Sequence, residues 1–465
     1  MRLAWFAPMP PDDGSGPRDL SESAIPLVAE RHQIEVFAGS DRDARAWPDW
    51  HVPVRSAYDF VWRALQRPYD LTVFQLSNAA RHDYVWGYLW NFPGLVVLQD
   101  IHLHHARARI LLDRVEPRLA DYGAELHYNH GIDPDVTRAM ATFSGPVLHV
   151  WPMRRAVADG ARGIAVHNDV LADDLRRESP DVPISVIRPG IPDPGIRQEL
   201  RNTGATRRIR QRFRLEDRVV LAVFGPLTRS RRIGTALEAL ASLRDSHPNL
   251  RLLLVGAETD EYDVRSDARE KGLLEHVILT GPVPDREMPA YMGAADVALS
   301  LVWPTAAETP GSWLSCLACG LPTIVTDVAH HADLPLIDPR GGTLHSAFGP
   351  AADPIAVLVD PLAERETLQL AIRRLAGDPA LRARLGAAAR GWWAARHTAQ
   401  AMADDYLRVI EETARRSAPE VELPKHLRPD VFEHTRRLAA EAGGTLPPEL
   451  AAPLMRTGEA ASSGS

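Results

Sequence analysis

Residues 304–327 read PTAAETPGSWLSCLACGLPTIVTD. The apolar run DVALSLVW (296–303) precedes them and reads as a strand, so the order is strand, loop, helix, strand. That order and spacing is the βαβ unit of a parallel sheet. One acid, Glu308, stands just before a Pro-Gly-Ser turn that opens an apolar helix. The first N–H groups of that helix, at Gly311, Ser312 and Trp313, lack intrahelical acceptors and form an anion site. A carboxylate beside them repels a bare phosphate. A ligand with both phosphate and hydroxyls suits both features, its hydroxyls donating to the carboxylate; a nucleotide sugar fits that description. The competing reading is that Glu308 caps the helix.

Outward from this unit the pattern repeats. In the first half, RLAWFAP, QIEVFAG, LTVFQLS, GLVVLQD, GIAVHND and ISVIRPG read as strands, with helices between them, around SESAIPLVAER and ADDLRRE among others. Near-continuous Val, Ile, Leu and Phe suits parallel strands buried on both faces. The pattern breaks at 188–218, where the Pro/Gly turn RPGIPDPG and the charged RNTGATRRIRQRFRLEDR suggest a domain boundary. A second series follows: RVVLAVFG, LRLLLVGA, HVILTG, DVALSLVW, TIVTD and IAVLVD. Helices are expected at 363–377 and 379–395, and a last one begins near Thr398, a plausible N-cap. Beyond residue 417 the chain is Pro-rich, with a short helix expected at 429–442 and a disordered end. The expected architecture is α/β, with two Rossmann-like domains facing a cleft: 1–195, 205–397, a crossover helix 398–416 and a Pro/Ala-rich tail 417–465. No repeat of fixed period runs along the chain.

In open parallel sheets, ligands bind beyond the carboxyl ends of the strands. Four further loops therefore draw notice. FGPLTRSRRIGTAL places Arg229, Arg231 and Arg232 before a helix, where they oppose its dipole unless an anion is present. No GxxxxGK[ST] or GxGxxG occurs there or after the first strand, which weakens triphosphatase and nicotinamide readings. VVLQDIHLHHARA ends a strand at Asp100, followed by His102, His104 and His105. A helix starting inside it would put His102 and His105 on one face, so contact with a sugar or acceptor is favoured over a metal. APMPPDDGSGPRDLS offers Gly14 and Gly16 for close backbone approach. LSNAARHDYVW offers Asn78 and His82.

The totals narrow the classes. The 465 residues are 45% hydrophobic and 25% charged, ordinary for a globular chain of two or three domains. A net charge of −8 argues against a nucleic-acid surface. Lysine occurs only at Lys271 and Lys425, the bias of a GC-rich bacterial genome. The two cysteines, Cys316 and Cys319, sit late in a helix and read as buried core residues, not as a redox or metal pair. The N-terminus lacks a signal-peptide core and no run of about 18 apolar residues exists. A cytoplasmic protein, free or peripheral to a membrane, is expected.

These residues together resemble the retaining nucleotide-sugar glycosyltransferases of family four, which have the GT-B fold. The resemblance covers about residues 1–416. It is most specific in TGPVPDREMPAYMGAADVALSLVWPTAAETPGSWLSCLACGLPTIVTD, with support from PMPPDDGSG, VVLQDIHLHH, VHNDVLADDL, VIRPGIPDP and RHTAQAMADDYLRVI. It implies a metal-independent transfer of a sugar, with retention, from a nucleotide-diphosphate donor to an acceptor hydroxyl. No cofactor is implied beyond that co-substrate. The acceptor could be a glycan, a lipid-linked sugar or a small metabolite. By the resemblance, Glu308 contacts the transferred sugar and Gly311 and Ser312 bind the diphosphate. Arg231 neutralises the leaving group and Val283 meets the base. Gly225, Arg229, Thr309 and Ser315 complete the donor set. Asp100, His102 and His104 stand near the reaction, and Gly14, Gly16, Asn78 and Gln99 line the N-domain side. Three positions depart from the family. Ser315 replaces the second glutamate of its two-glutamate motif, Pro226 an arginine, and Gln99 a histidine before the aspartate. Those departures motivate the alternative, a non-catalytic subunit paired with an active transferase.

Overall fold

The computed structural model describes residues 1–8, 20–45, 47, 51–133, 150–305, 307–331, 334–345 and 353–427. Gly14, Gly16 and the 429–442 helix lie outside the described residues, as does the tail beyond 427. The described chain divides into two compact units, 20–23 with 188–402, and the remainder, to which residues from 403 on return.

The first unit is built on seven parallel strands: β1 Arg2–Phe6, β2 Gln33–Ala38, β3 Val54–Ser56, β4 Leu71–Leu76, β5 Leu95–Leu98, β6 Gly163–Val166 and β7 Ile184–Val186. Their order is β3-β2-β1-β4-β5-β6-β7. Six of the seven were legible as apolar runs. β3 was not, because three residues are too few to show a period. Phe6 anchors one face, its ring centroid 4.9 Å from Phe60, 5.0 Å from Phe74 and 5.3 Å from Phe37.

The second unit holds β8 Val219–Phe224, β9 Leu250–Val255, β10 Val277–Leu279, β11 Val297–Ser300, β12 Thr323–Thr326, β13 Leu336–Ile337, β14 Leu344–His345 and β15 Ala356–Val359. Their order is β10-β9-β8-β11-β12-β15-β13-β14, parallel except for β14. Alternate β8 residues serve opposite faces. Leu221 and Val223 pack with Ile233, Leu237 and Leu240, while Val220, Ala222 and Phe224 pack with Cys316 and Cys319. This two-sided burial explains the unbroken apolar runs. It also makes the cysteines core residues, with burial as the main cause raising both thiol pKa values.

The charged stretch at 201–218 is not a bare connector. It contains the helix Gly204–Arg212, of whose arginines Arg210 is buried. Arg197 and Arg201 reach the buried Asp296 at 2.9 and 2.6 Å, and Arg210 donates to Ala294 O at 2.6 Å. Helices Glu364–Gly377 and Pro379–Arg396 match the expected spans. The last helix, Ala399–Ala414, follows Thr398, whose Oγ1 accepts the Ala401 N–H at 3.1 Å. Beyond Met402 this helix belongs to the first unit, where Tyr406 lies 4.9 Å from Trp5.

Candidate functional site

The strand order reverses between β8 and β11, so the second sheet has its switch point there. Ligands of open α/β sheets bind beyond the carboxyl ends of such strands. β8 runs into Gly225 and the turn Arg229–Arg231; β11 runs into the Glu308 loop. The two loops singled out in the sequence therefore leave adjacent strands.

They meet at Arg231. Its guanidinium donates to Phe224 O at 2.9 Å and lies 3.4 Å from Ser312 Oγ. Gly225 makes room for it. At φ +110°, an added Cβ there would sit 2.8 Å from Arg231 Nη2. Among the described residues Arg231 has no carboxylate within ion-pair distance, and desolvation lowers its pKa. A cation kept partly desolvated without an acid is poised for an anionic ligand.

Its two neighbours do not share that state. Arg232 forms a bidentate pair with Glu364, Nε at 2.7 Å, and Arg229 donates to Glu261 O at 2.7 Å. The three arginines that looked equivalent thus separate into one available cation and two with fixed partners.

The helix Gly311–Cys319 begins beside Arg231. The Trp313 N–H turns to Pro310 O at 3.0 Å, which removes it from the expected set of donors. The Gly311 and Ser312 N–H groups have no acceptor among the described residues, as the first two positions of a helix require. Glu308 does not cap: the N-cap is Pro310 and no side-chain cap bond forms. Glu308 instead accepts from Thr305 Oγ1 at 2.9 Å. The Ser315 hydroxyl donates one turn back to Gly311 O at 3.0 Å. Val283 packs half-buried against the core that includes Phe224. Thr309 lies half-buried between Glu308 and the helix start.

In the first unit the loop after β5 is clamped by Asn78. Asp100 Oδ2 accepts the Asn78 N–H at 2.8 Å, Asn78 Oδ1 accepts the Ala106 N–H at 3.1 Å, and Asn78 Nδ2 donates to His102 O. The helix here starts at His104, so His102 precedes it and shares no helical face with His105. His104 is corrected from a loop residue to a core one. It is fully buried, 2.6 Å from the Tyr122 hydroxyl, with its pKa lowered to about 4 by desolvation. His82 is likewise buried, donating to Gln75 O at 2.9 Å. Gln99 joins a polar chain: it donates to Gln75 Oε1 at 2.8 Å and accepts from His167 Nε2 at 3.1 Å. Gln75 continues to the Tyr406 hydroxyl at 3.0 Å.

The sequence reading missed His330 and His331. They follow β12 and, with Glu308, Trp313 and Thr326, line a small recess. No motif marked them, since only the fold brings the end of β12 beside the Glu308 loop. Among the described residues no group of three His, Cys, Asp or Glu could hold a metal, and no helix is long and apolar enough to cross a membrane.

Residues 205–392 match the family model described as glycosyl transferases group 1. The GDP-mannose-dependent alpha-(1-6)-phosphatidylinositol monomannoside mannosyltransferase of Mycolicibacterium smegmatis is 26% identical over 227 residues, 46% of this chain and 52% of that protein. The 2-deoxystreptamine glucosyltransferase of Streptomyces kanamyceticus is 30% identical over 129 residues, 27% of this chain and 33% of that one. The chain thus spans about half the length, or less, of these relatives. Among solved structures, HepE of Anabaena in complex with UDP superposes with TM-score 0.58 at 14% identity, covering 89% of this chain and 100% of that one. Sucrose-phosphate synthase of Thermosynechococcus elongatus gives 0.59 at 15% identity, over 88% and 98%. The chain has the GT-B fold, and residues 205–392 in its second unit match the glycosyl transferases group 1 family.

Proposed function

We propose that the protein is a glycosyltransferase that moves a sugar from a nucleotide-diphosphate donor to an acceptor hydroxyl, with retention and without a divalent metal. The observation that carries this reading is Arg231. Among the described residues it is a cation without an acidic partner, 3.4 Å from Ser312 Oγ at a helix start whose first two N–H groups have no acceptor. A diphosphate bound there meets a positive charge and two backbone donors. All three become more valuable as the glycosidic C–O bond breaks and charge gathers on the leaving oxygen. Glu308 then lies on the sugar side, accepting from sugar hydroxyls and holding the ring. In this reading the diphosphate leaves and the acceptor attacks on the same face, through an oxocarbenium-like state. Arg231 supplies the neutralising charge that a metal would otherwise provide, which supports metal independence. We assign acceptor contacts to the loop after β5, with Asp100 and His102.

The test is transfer, and hydrolysis without acceptor, using UDP- and GDP-linked hexoses. Glu308→Ala and Arg231→Ala are each expected to lose about 100-fold or more in kcat. An α-linked donor should give an α-linked product by NMR, and EDTA should leave the rate unchanged. Full activity in both variants refutes the assignment.

A further inference from the structure

The recess beside Glu308 is lined by Ser300, Val302, Trp313, Thr326, His330 and His331 among others. Its volume is about 10 Å³, room for one water or one hydroxyl but not for a sugar ring. His331 is 7% exposed, and its ring stands 5.3 Å from Trp313 and 4.3 Å from His330. Its Nδ1 donates to Thr326 O at 2.9 Å, which fixes the tautomer: the proton is on Nδ1 and Nε2 carries a lone pair. That Nε2 is buried and has no hydrogen-bond partner among the described residues. A buried acceptor left unsatisfied carries its desolvation cost without a compensating bond. Nearby Thr326 Oγ1 already accepts from the Val302 N–H at 3.1 Å. The recess is thus lined by two residues that can accept, Glu308 and His331, and an occupant that brings O–H donors suits it.

We propose that this recess takes a single hydroxyl or hydroxymethyl group of the transferred sugar, with His331 as the residue that selects for it. The inference rests on the donor reading above and extends it to sugar selection. A pocket that hydrogen-bonds one hydroxyl rejects the analogue lacking it far more strongly than an apolar pocket rejects an extra group. Its unsatisfied lone pair then stays buried. The recess gives the chain a binary check on one ring position.

Two variants separate the role from the fold. His331→Asn keeps a donor for Thr326 O but removes the acceptor at Nε2. His331→Gln can return an acceptor to that place. Wild type and both variants are assayed with UDP-glucose and GDP-mannose, and with the monodeoxy analogues of each sugar. UDP and GDP affinities are measured alongside. The expected result is one ring position at which wild type discriminates about 100-fold or more in kcat/KM. His331→Asn should lower that ratio at least tenfold with nucleoside diphosphate affinity unchanged, and His331→Gln should recover part of it. Unchanged discrimination in His331→Asn overturns the inference, because the recess then holds only an ordered water. A fall in UDP or GDP affinity matching the loss of activity also overturns it, since the effect is then on the whole loop. Failure of wild type to use or bind any of these donors refutes the donor reading instead.

Discussion

At the scale of single residues, Arg231 and the histidines make opposite use of burial. Arg231 stays charged in a partly desolvated place because φ +110° at Gly225 and the Phe224 carbonyl leave it a slot. Gly225→Ala should therefore do two things. It strains the backbone by roughly 1–3 kcal/mol, and it displaces the guanidinium. A lower melting temperature with at least tenfold weaker UDP or GDP binding by calorimetry is expected; unchanged binding would show that Arg231 does not hold the diphosphate. The buried histidines stay neutral instead. Desolvation lowers His104 and His330 to about 4 and His331 to about 3. Unfolded, each binds a proton near pH 6.5, so between that pH and the folded values the unfolded chain holds more protons. Stability should fall as pH drops from 6.5 toward 4, by about 1.4 kcal/mol per pH unit per histidine. Below the folded values it should lose nothing more from these groups. Urea midpoints at pH 7, 5.5 and 4.5 test this, and His104→Asn should flatten the slope by about 1.4 kcal/mol per pH unit. None of this was readable in HLHH or VAHH. A histidine's sequence neighbours do not say whether its ring faces solvent or a tyrosine hydroxyl. The loops that carry Glu308 and Arg231 stood out because each lies where an apolar strand run ends and a helix begins; which of the three arginines lacks an acidic partner among the described residues did not.

At the scale of elements, the strands were legible wherever both faces are buried, as in VVLAVF and LRLLLV, whose apolar runs leave little alternative. Legibility failed where charge was structural. Arg197, Arg201 and Arg210 fall in the 188–218 stretch that read as a domain boundary, although they neutralise Asp296 inside the second unit. The segment after the last helix failed in the same way. Residues 417–427 looked like the start of a tail, yet His426 Nε2 lies 2.7 Å from Glu125 Oε1. Glu125 also binds Arg107, with its Nε at 2.7 Å, and that guanidinium packs 4.7 Å from Trp86. Leu423 and Leu427 are buried beside it. This segment is thus a strap on the helix Leu119–His130. Truncation after Leu427 keeps the strap residues and serves as the reference. Truncation after Arg416 removes two buried leucines and one partner of a buried carboxylate, and should cost roughly 3–5 kcal/mol. Denaturant midpoints of the two truncations decide it, and equal values would show that the strap contributes nothing.

At the scale of the whole molecule, two cores of similar design divide the work, and the last helix belongs to both units in sequence, with Met402 in the second and Tyr406 in the first. The donor-side groups, Arg231, Gly311, Ser312, Glu308 and His331, all lie in the second unit. A nucleoside diphosphate bound there stabilises whatever unfolds with that unit. At one hundred times its dissociation constant the gain is about 2.7 kcal/mol. Tyr406→Phe provides a marker for the other unit, since it removes the hydroxyl that accepts from Gln75 at 3.0 Å. In scanning calorimetry, Tyr406→Phe should lower one transition and saturating UDP or GDP should raise the other. Arg231→Ala should abolish the ligand shift while leaving the Tyr406-sensitive transition in place. If ligand and mutation move a single transition together, the units unfold as one body. Ligand linkage then reports on the whole chain, and Arg231→Ala must still remove the shift if the diphosphate is held where the second sheet's strand order reverses.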